Sequence, residues 1–217
     1  MKKRVVRKKI ITKKIKRKSA KRGKKEFSIS QWYKESWEYI KDSKRFIYVI
    51  AGIFFLFFLI GFFIPAPESI YNGIMDFIKN LLQTTQDMSQ IDMIGFIIYN
   101  NIQSTFLAIV FGVVFGIFPL MDAVANGYML GFVSSLSVTN SGWVSLLKIL
   151  PHGIFELPAV FIALGLGLRT GMFIFRKKKL EAFKEYAINS LKVFFLIVVP
   201  LLIIAGIIEG TLILLLQ

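Results

Sequence analysis

The residues of this 217-residue chain with the clearest chemical potential are a histidine and a glutamate four positions apart in an apolar stretch. His152 and Glu156 fall on one face of a helix, where they can hydrogen-bond or share a proton. An ionisable group inside a membrane span costs roughly 2.5–3.5 kcal/mol at mid-bilayer, so each one needs a partner or a function. Glu209 stands in another apolar stretch and raises the same question.

Three kinds of chemistry are open to this pair. The simplest is a buried hydrogen-bonded pair that fixes helix packing. The second is a step in a proton or ion pathway, in which two buried acids that share a proton titrate together. Intramembrane hydrolysis is disfavoured, because a single histidine and no cysteine supply neither an activated nucleophile nor a multi-residue metal site. We therefore expect no enzyme activity, no metal and no cofactor.

Five apolar runs predict an all-α membrane protein with five transmembrane helices. A helix needs about 20 residues to cross the hydrocarbon layer. The third run is the weakest of the five, because it is short and rich in Gly and Ser. The runs cover residues 46–64, 94–118, 123–138, 149–168 and 193–216.

The distribution of charge predicts the orientation of these spans. The formal net charge is +15 at pH 7, and the whole excess lies before Phe46. Short segments rich in Lys and Arg stay cytoplasmic, so we expect a cytoplasmic N-terminus and, after five crossings, an extracytoplasmic C-terminus in the cell membrane. If the third run were a re-entrant loop, the basic cluster in residues 169–192 would face outside, against the charge bias.

The segments beside the spans are amphipathic. Residues 1–45 are predicted to form a basic cytoplasmic tail with an interfacial helix, which begins at a capping box of Ser28 and Gln31. Residues 46–217 form the five-span membrane domain. A further interfacial helix is predicted for Glu68–Thr85 on the outer surface.

Several polar residues are expected to meet inside the membrane domain. At about 1.5 Å per helical residue, the amides of the second span and the acids of the fourth and fifth reach a similar depth in the outer third of the bilayer. The predicted buried polar cluster consists of Asn100, Asn101, His152, Glu156 and Glu209.

Small residues and prolines recur along the spans. Small residues let helix backbones approach closely, and their spacing favours packing within the chain, although a homo-oligomer stays an alternative. A proline removes a backbone donor and bends or breaks a helix. The predicted packing and kink residues are Gly112, Gly116, Pro119, Asn126, Gly127, Gly131, Pro151, Pro158, Gly165 and Gly167.

The basic tail predicts a charged partner. Each cation near an anionic lipid surface contributes about 1 kcal/mol to binding, so we expect the tail to bind anionic lipids. Nucleic-acid binding is disfavoured, because no aromatic residue precedes Phe27 to stack on a base, and a protein partner is a further alternative. The predicted lipid-binding residues are Lys13, Lys14, Lys16, Arg17 and Lys18.

The His-Gly-x-x-Glu-Leu segment at residues 152–157, together with the asparagines and glycines above, resembles the stage II sporulation protein M family. This resemblance covers about residues 46–217 and implies a multi-pass membrane protein. The namesake of the family is a scaffold that helps to place cell-wall hydrolases during engulfment, and relatives occur in organisms that form no spores.

The leading hypothesis is a membrane scaffold that positions partner proteins, which we expect to be other membrane or envelope proteins. In this hypothesis His152 and Glu156 have a structural role and fix the packing of the helices. The alternative is a transporter or proton-coupled channel component that uses the same buried cluster.

Overall fold

A computed structural model describes residues 28–215, apart from the side chains of residues 148–152 and 213–215. The regular structure in this part of the chain is helical, without strands. The chain divides into two units, Met1–Trp32 and Tyr33–Gln217, and the helices pack on one another within the second. The helices are α1 (Ile29–Phe63), α2 (Glu68–Thr85), α3 (Gln90–Phe111), α4 (Ile117–Ser141), α5 (Leu146–Gly171), α6 (Lys179–Val193) and α7 (Val199–Leu215), with 3-10 turns at Trp143–Ser145 and Met172–Phe175 and a π-helical segment at Phe194–Val198.

Five helical segments are long and apolar enough to cross a membrane, which confirms the predicted fold class. The third run was expected to be the weakest, but it belongs to α4, an uninterrupted helix of 25 residues. Residues 117–122 and 139–141, on either side of the apolar run, are also helical, so the helix is longer than the run. The five segments are Ile29–Phe63, Gln90–Phe111, Ile117–Ser141, Gly153–Phe175 and Lys179–Leu212.

The predicted interfacial helix that begins at Ser28 and Gln31 is continuous with the first span. The backbone N–H of Gln31 donates to Ser28 Oγ over 3.4 Å, as the capping box requires, and α1 then continues for 35 residues across the predicted boundary at residues 45 and 46. In the same way, α6 passes through Phe194–Val198 into α7. Residues 44–48 at the first junction contain no proline or glycine, so nothing in the local sequence ends the helix there. At the second junction, Pro200 lies two residues after the π-helical segment, and the helix continues through it.

The second span ends earlier than predicted. Helix α3 stops at Phe111, and a tight turn leads to α4 at Ile117, whereas the apolar run continues to Phe118. Phe115 and Gly116 have positive φ angles of 56° and 71°. Glycine adopts this left-handed conformation without steric cost, so Gly116 lets the chain reverse inside an apolar run.

Helix α2 has the bounds that its amphipathic pattern predicted. It begins after Pro67, which has no N–H to satisfy, and Glu68 lies in its first turn. The ring of Tyr71 meets the ring of Phe132 on α4 edge-on, with 5.6 Å between the centroids. Helix α2 therefore packs on the bundle.

The order of interhelical contacts gives the relative directions of the helices. A Cβ at Gly127 or Gly131 on α4 would meet the carbonyl of Phe54 or Phe58 on α1, so these two helices run the same way. Gly206 and Gly210 on α7 face Ile98 and Ile94 in reversed order, so α7 is antiparallel to α3. Gly167 and Gly171 of α5 face Ala108 and Gly112 in the same order, so α5 is parallel to α3. Its contacts with α1 run in reversed order, from Gly165 with Ile47 to Phe161 with Phe54, so α5 is antiparallel to α1. Of the five long helices, α1, α4 and α7 therefore run one way, and α3 and α5 run the other. Five successive membrane crossings would need this alternation.

The bundle core is apolar and centres on α5. Ala159, Ala163 and Leu166 of α5 pack with Phe194, Val198 and Leu202, and all six are buried. On the other side of α5, Leu164 packs with Ile50, Ala108 and Ala123. A helix that is buried on two sides has few positions left to face lipid, which makes α5 the central element.

Candidate functional site

Four helices surround a small polar recess of about 150 Å³. Most of its lining side chains carry oxygen, which is unusual for a cavity inside a bundle of apolar helices. Three of the five residues predicted for the polar cluster contribute to it. The described lining residues are Phe54 of α1; Asn100, Asn101, Ser104 and Thr105 of α3; Asp122, Asn126 and Leu130 of α4; and Glu156, Leu157 and Val160 of α5.

A glycine contact sets the register that brings α3 and α5 together. A Cβ at Gly112 would meet the carbonyl of Gly167, so the two backbones touch. Asn101 precedes Gly112 by eleven residues, and Glu156 precedes Gly167 by the same number. Because α3 and α5 are parallel, Asn101 and Glu156 lie at one level and line the same recess.

Helix α4 adds two residues that the sequence did not assign to the cluster. Asn126 Nδ2 donates to Asp122 Oδ1 over 2.9 Å, and both side chains line the recess. Asp122 was missed because the third run was taken to begin at Ala123, and Asn126 was predicted only as a packing residue. The signal was the four-residue spacing of a carboxylate and an amide at the start of a span.

The hydroxyl and amide groups of α3 divide into buried and exposed ones. Thr105 is buried, and its hydroxyl donates to the carbonyl of Asn101 over 2.6 Å. Asn100 and Ser104 are exposed, as is Asn126 on α4. The recess is therefore open toward the side of the bundle.

The two remaining residues of the predicted cluster have different outcomes. The side chain of His152 lies outside the described part of the chain. Glu209 is not among the described lining residues. Its neighbour Gly210 packs against Ile94, so Glu209 lies about 9 Å farther along the bundle than Asn101, at 1.5 Å per residue.

Small residues close the recess at the end away from Asn101 and Glu156. A Cβ at Gly167 would lie 2.6 Å from Ala108 O and 2.8 Å from Pro119 Cγ. A Cβ at Gly116 would lie 2.6 Å from Leu168 Cδ1. Helices α3, α4 and α5 therefore converge on Gly167 with no space for a side chain between them.

The other predicted packing residues lie at different contacts. Gly165 packs against Ile47 of α1, while Gly127 and Gly131 pack against α1 as described above. The backbone stays helical through Pro151 and Pro158, so neither proline ends α5.

The arrangement can accept and donate hydrogen bonds and can stabilise a positive charge. Asp122 and Glu156 supply carboxylates, and the amides and hydroxyls supply both donors and acceptors. Among the described residues, no group of three His, Cys, Asp or Glu side chains is placed to hold a metal ion. The lysines and arginine predicted to bind lipid, at positions 13–18, lie outside the described residues.

Comparison with known proteins agrees with the resemblance seen in the sequence. The family model described as Stage II sporulation protein M matches residues 50–212. The chain is also similar to the uncharacterized protein MJ0793 of Methanocaldococcus jannaschii, with 31% identity over 119 residues, which cover 52% of this chain and 66% of that protein. The match thus spans just under two thirds of the relative. No solved structure matches the chain significantly.

Proposed function

Since this chain belongs to the stage II sporulation protein M family, we propose that it is a membrane scaffold that positions partner proteins, with the polar recess as the docking place for a partner's transmembrane helix. In this proposal the protein is not an enzyme. It lies in the cell membrane as a multi-pass protein, with a cytoplasmic N-terminus and an extracytoplasmic C-terminus.

The observation that carries the proposal is the shape of the recess, which opens sideways and is closed at one end. Gly167 touches both α3 and α4, so a solute that entered beside Glu156 would find no path onward between these helices. A transporter needs a route through the bundle or halves that move past each other. A scaffold needs only a rigid surface with a specific feature.

The exposed polar groups supply that feature. Asn100, Ser104 and Asn126 would be costly in contact with hydrocarbon, whereas a partner helix can satisfy them with its own polar groups. The carboxylates of Asp122 and Glu156 favour a partner that brings hydrogen-bond donors or a cation. Other membrane or envelope proteins that carry such a residue in a span are the expected partners.

Site-specific photo-crosslinking in native membranes tests the proposal. A photoreactive phenylalanine is placed at Asn100 or Asn126, beside the recess, and in matched controls at Leu107 or Met121, which are exposed on the same two helices. We expect discrete crosslinked partners from Asn100 and Asn126, and none of them from the controls. The proposal fails if the recess and control positions give the same products.

A transporter or proton-coupled channel component is the second candidate, because two carboxylates line one cavity. The test is flux of protons or cations into proteoliposomes that contain the full chain. The scaffold proposal predicts no flux above that of empty vesicles. If Glu156→Gln abolished a measurable flux in a protein that still folded and bound its partner, the scaffold reading would be abandoned.

A further inference from the structure

Arg169, near the end of α5, is held between two tyrosine rings. Its Cζ atom lies 4.1 Å from the ring centroid of Tyr39 and 5.2 Å from that of Tyr186. Its Nη1 donates to Ser43 Oγ over 2.7 Å and to the carbonyl of Tyr39 over 3.3 Å. A guanidinium has five N–H donors, and those on Nε and Nη2 donate to no acceptor among the described residues.

Arg176, which follows the turn after α5, contacts Tyr186 as well. Its Nε donates to the Tyr186 hydroxyl over 2.9 Å, and its Cζ lies 6.0 Å from the ring centroid. The side chain is exposed, and neither Nη atom has a described acceptor. Two guanidinium groups therefore share Tyr186, and both have N–H donors without an acceptor among the described residues.

No ion pair with a described residue neutralises the positive charge of Arg169 and Arg176. Neither arginine has a described carboxylate oxygen within 4.0 Å, and the described ion pairs of nearby lysines involve Lys178 with Glu181 and Lys192 with Glu35. Glu185 is near enough to act electrostatically on Tyr39, but it forms no ion pair with either arginine. Two forked donors with surplus positive charge match a phosphate group.

The pair also lies close to the start of the apolar stretch of α1, the level at which a spanning helix would meet lipid headgroups. Ser43, the partner of Arg169, is three residues before the apolar stretch of α1, or about 5 Å from its start. At that start, Arg45 Cζ lies 4.7 Å from the ring centroid of Phe46. Cations and aromatic rings together are typical of the membrane interface.

From these contacts we propose that Arg169 and Arg176 bind the phosphate of an anionic lipid headgroup, with Tyr186 holding the two guanidinium groups in place. None of the residues of this site is among the described residues that line the polar recess. The ligand chemistry is a phosphate monoester or diester, and the depth of the site favours a lipid over a soluble phosphate compound.

Lipid retention by the purified full chain tests the site. The chain is equilibrated in detergent with equal amounts of phosphatidylglycerol and phosphatidylcholine, and native mass spectrometry counts the bound lipids. Arg169→Gln and Arg176→Gln should each lower retention of phosphatidylglycerol about tenfold, as expected for the loss of a charge-assisted hydrogen bond. The control Lys177→Gln removes an equal charge from an exposed neighbour and should change retention less than about twofold.

Arg176→Gln keeps the proposal testable even if Arg169→Gln unfolds the protein, because Arg176 is exposed. An equal loss in Lys177→Gln would show diffuse attraction by the basic surface and would overturn the site, as would full retention in Arg176→Gln. Inorganic phosphate and glycerol phosphate serve as soluble competitors. If either displaces the lipid at low millimolar concentration, the site binds a soluble phosphate compound and the lipid assignment is overturned.

Discussion

Asp122 and Asn126 lie one helical turn apart on α4, and Asn126 Nδ2 donates to Asp122 Oδ1 over 2.9 Å. Both side chains line the polar recess with Glu156. The amide thus stabilises a carboxylate within a segment that is apolar enough to cross a membrane. Helix α4 therefore contributes to the recess a carboxylate that already accepts a hydrogen bond from an amide of the same helix.

Loss of this hydrogen bond should destabilise the protein. Asn126→Ala leaves Asp122 without its amide donor, so we expect a loss of about 1 kcal/mol in the free energy of unfolding. Asn126→Asp should be more damaging at neutral pH, because two carboxylates one turn apart repel each other. Thermal unfolding in detergent, followed by tryptophan fluorescence, measures both. Asn140→Ala, an exposed amide at the end of the same helix, is the control. Equal melting temperatures for all variants would contradict a role for the bond.

The glycine contacts should be intolerant of even one methyl group. Gly131→Ala places a Cβ against the carbonyl of Phe58, and we expect a loss of about 1–3 kcal/mol in stability. Gly52→Ala on α1 is the matched control, since a Cβ there meets nothing within 4 Å. That change should be neutral or stabilising by up to about 1 kcal/mol, because alanine favours a helix. The packing described for α1 and α4 is wrong if Gly131→Ala unfolds at the same temperature as the control.

The proposed orientation can be tested directly, because the chain has no cysteine and engineered ones stand alone. Gln217→Cys should react with a membrane-impermeant maleimide added to intact cells. Ser19→Cys in the basic tail should react only after the membrane is permeabilised. Labelling is read as a mass shift on a gel. Protection of Gln217→Cys in intact cells would rule out an extracytoplasmic C-terminus.

The basic tail should contribute to binding and not to folding. Removal of residues 1–25 deletes 15 of the 28 Lys and Arg residues, so association with anionic vesicles should weaken, each cation near the surface being worth about 1 kcal/mol. Vesicle flotation with and without phosphatidylserine measures the change. Membrane insertion and melting temperature should stay as in the full chain. Misinsertion of the truncated protein would contradict this division of roles.

Much of the fold could be predicted because a continuous run of about 20 apolar residues marks a membrane-spanning helix in the local sequence. Five apolar runs identified the five spanning segments, and the helical period of Glu68–Thr85 gave α2 its bounds. The turn at Gly116 was missed, since an apolar run has no marker for a reversal that one left-handed glycine can make. Continuity of α1 and of α6 with α7 was missed because a change in polarity was read as a boundary.

The sequence by itself determined which residues need a polar environment, because their chemistry is costly in lipid wherever the helices pack. Only the tertiary structure decided which of them meet. The contact of Gly112 with Gly167 sets Asn101 level with Glu156, and that of Gly210 with Ile94 sets Glu209 apart from them. Helical period shows which residues share a face, but the register between helices depends on backbone contacts between distant segments, and no local pattern encodes it.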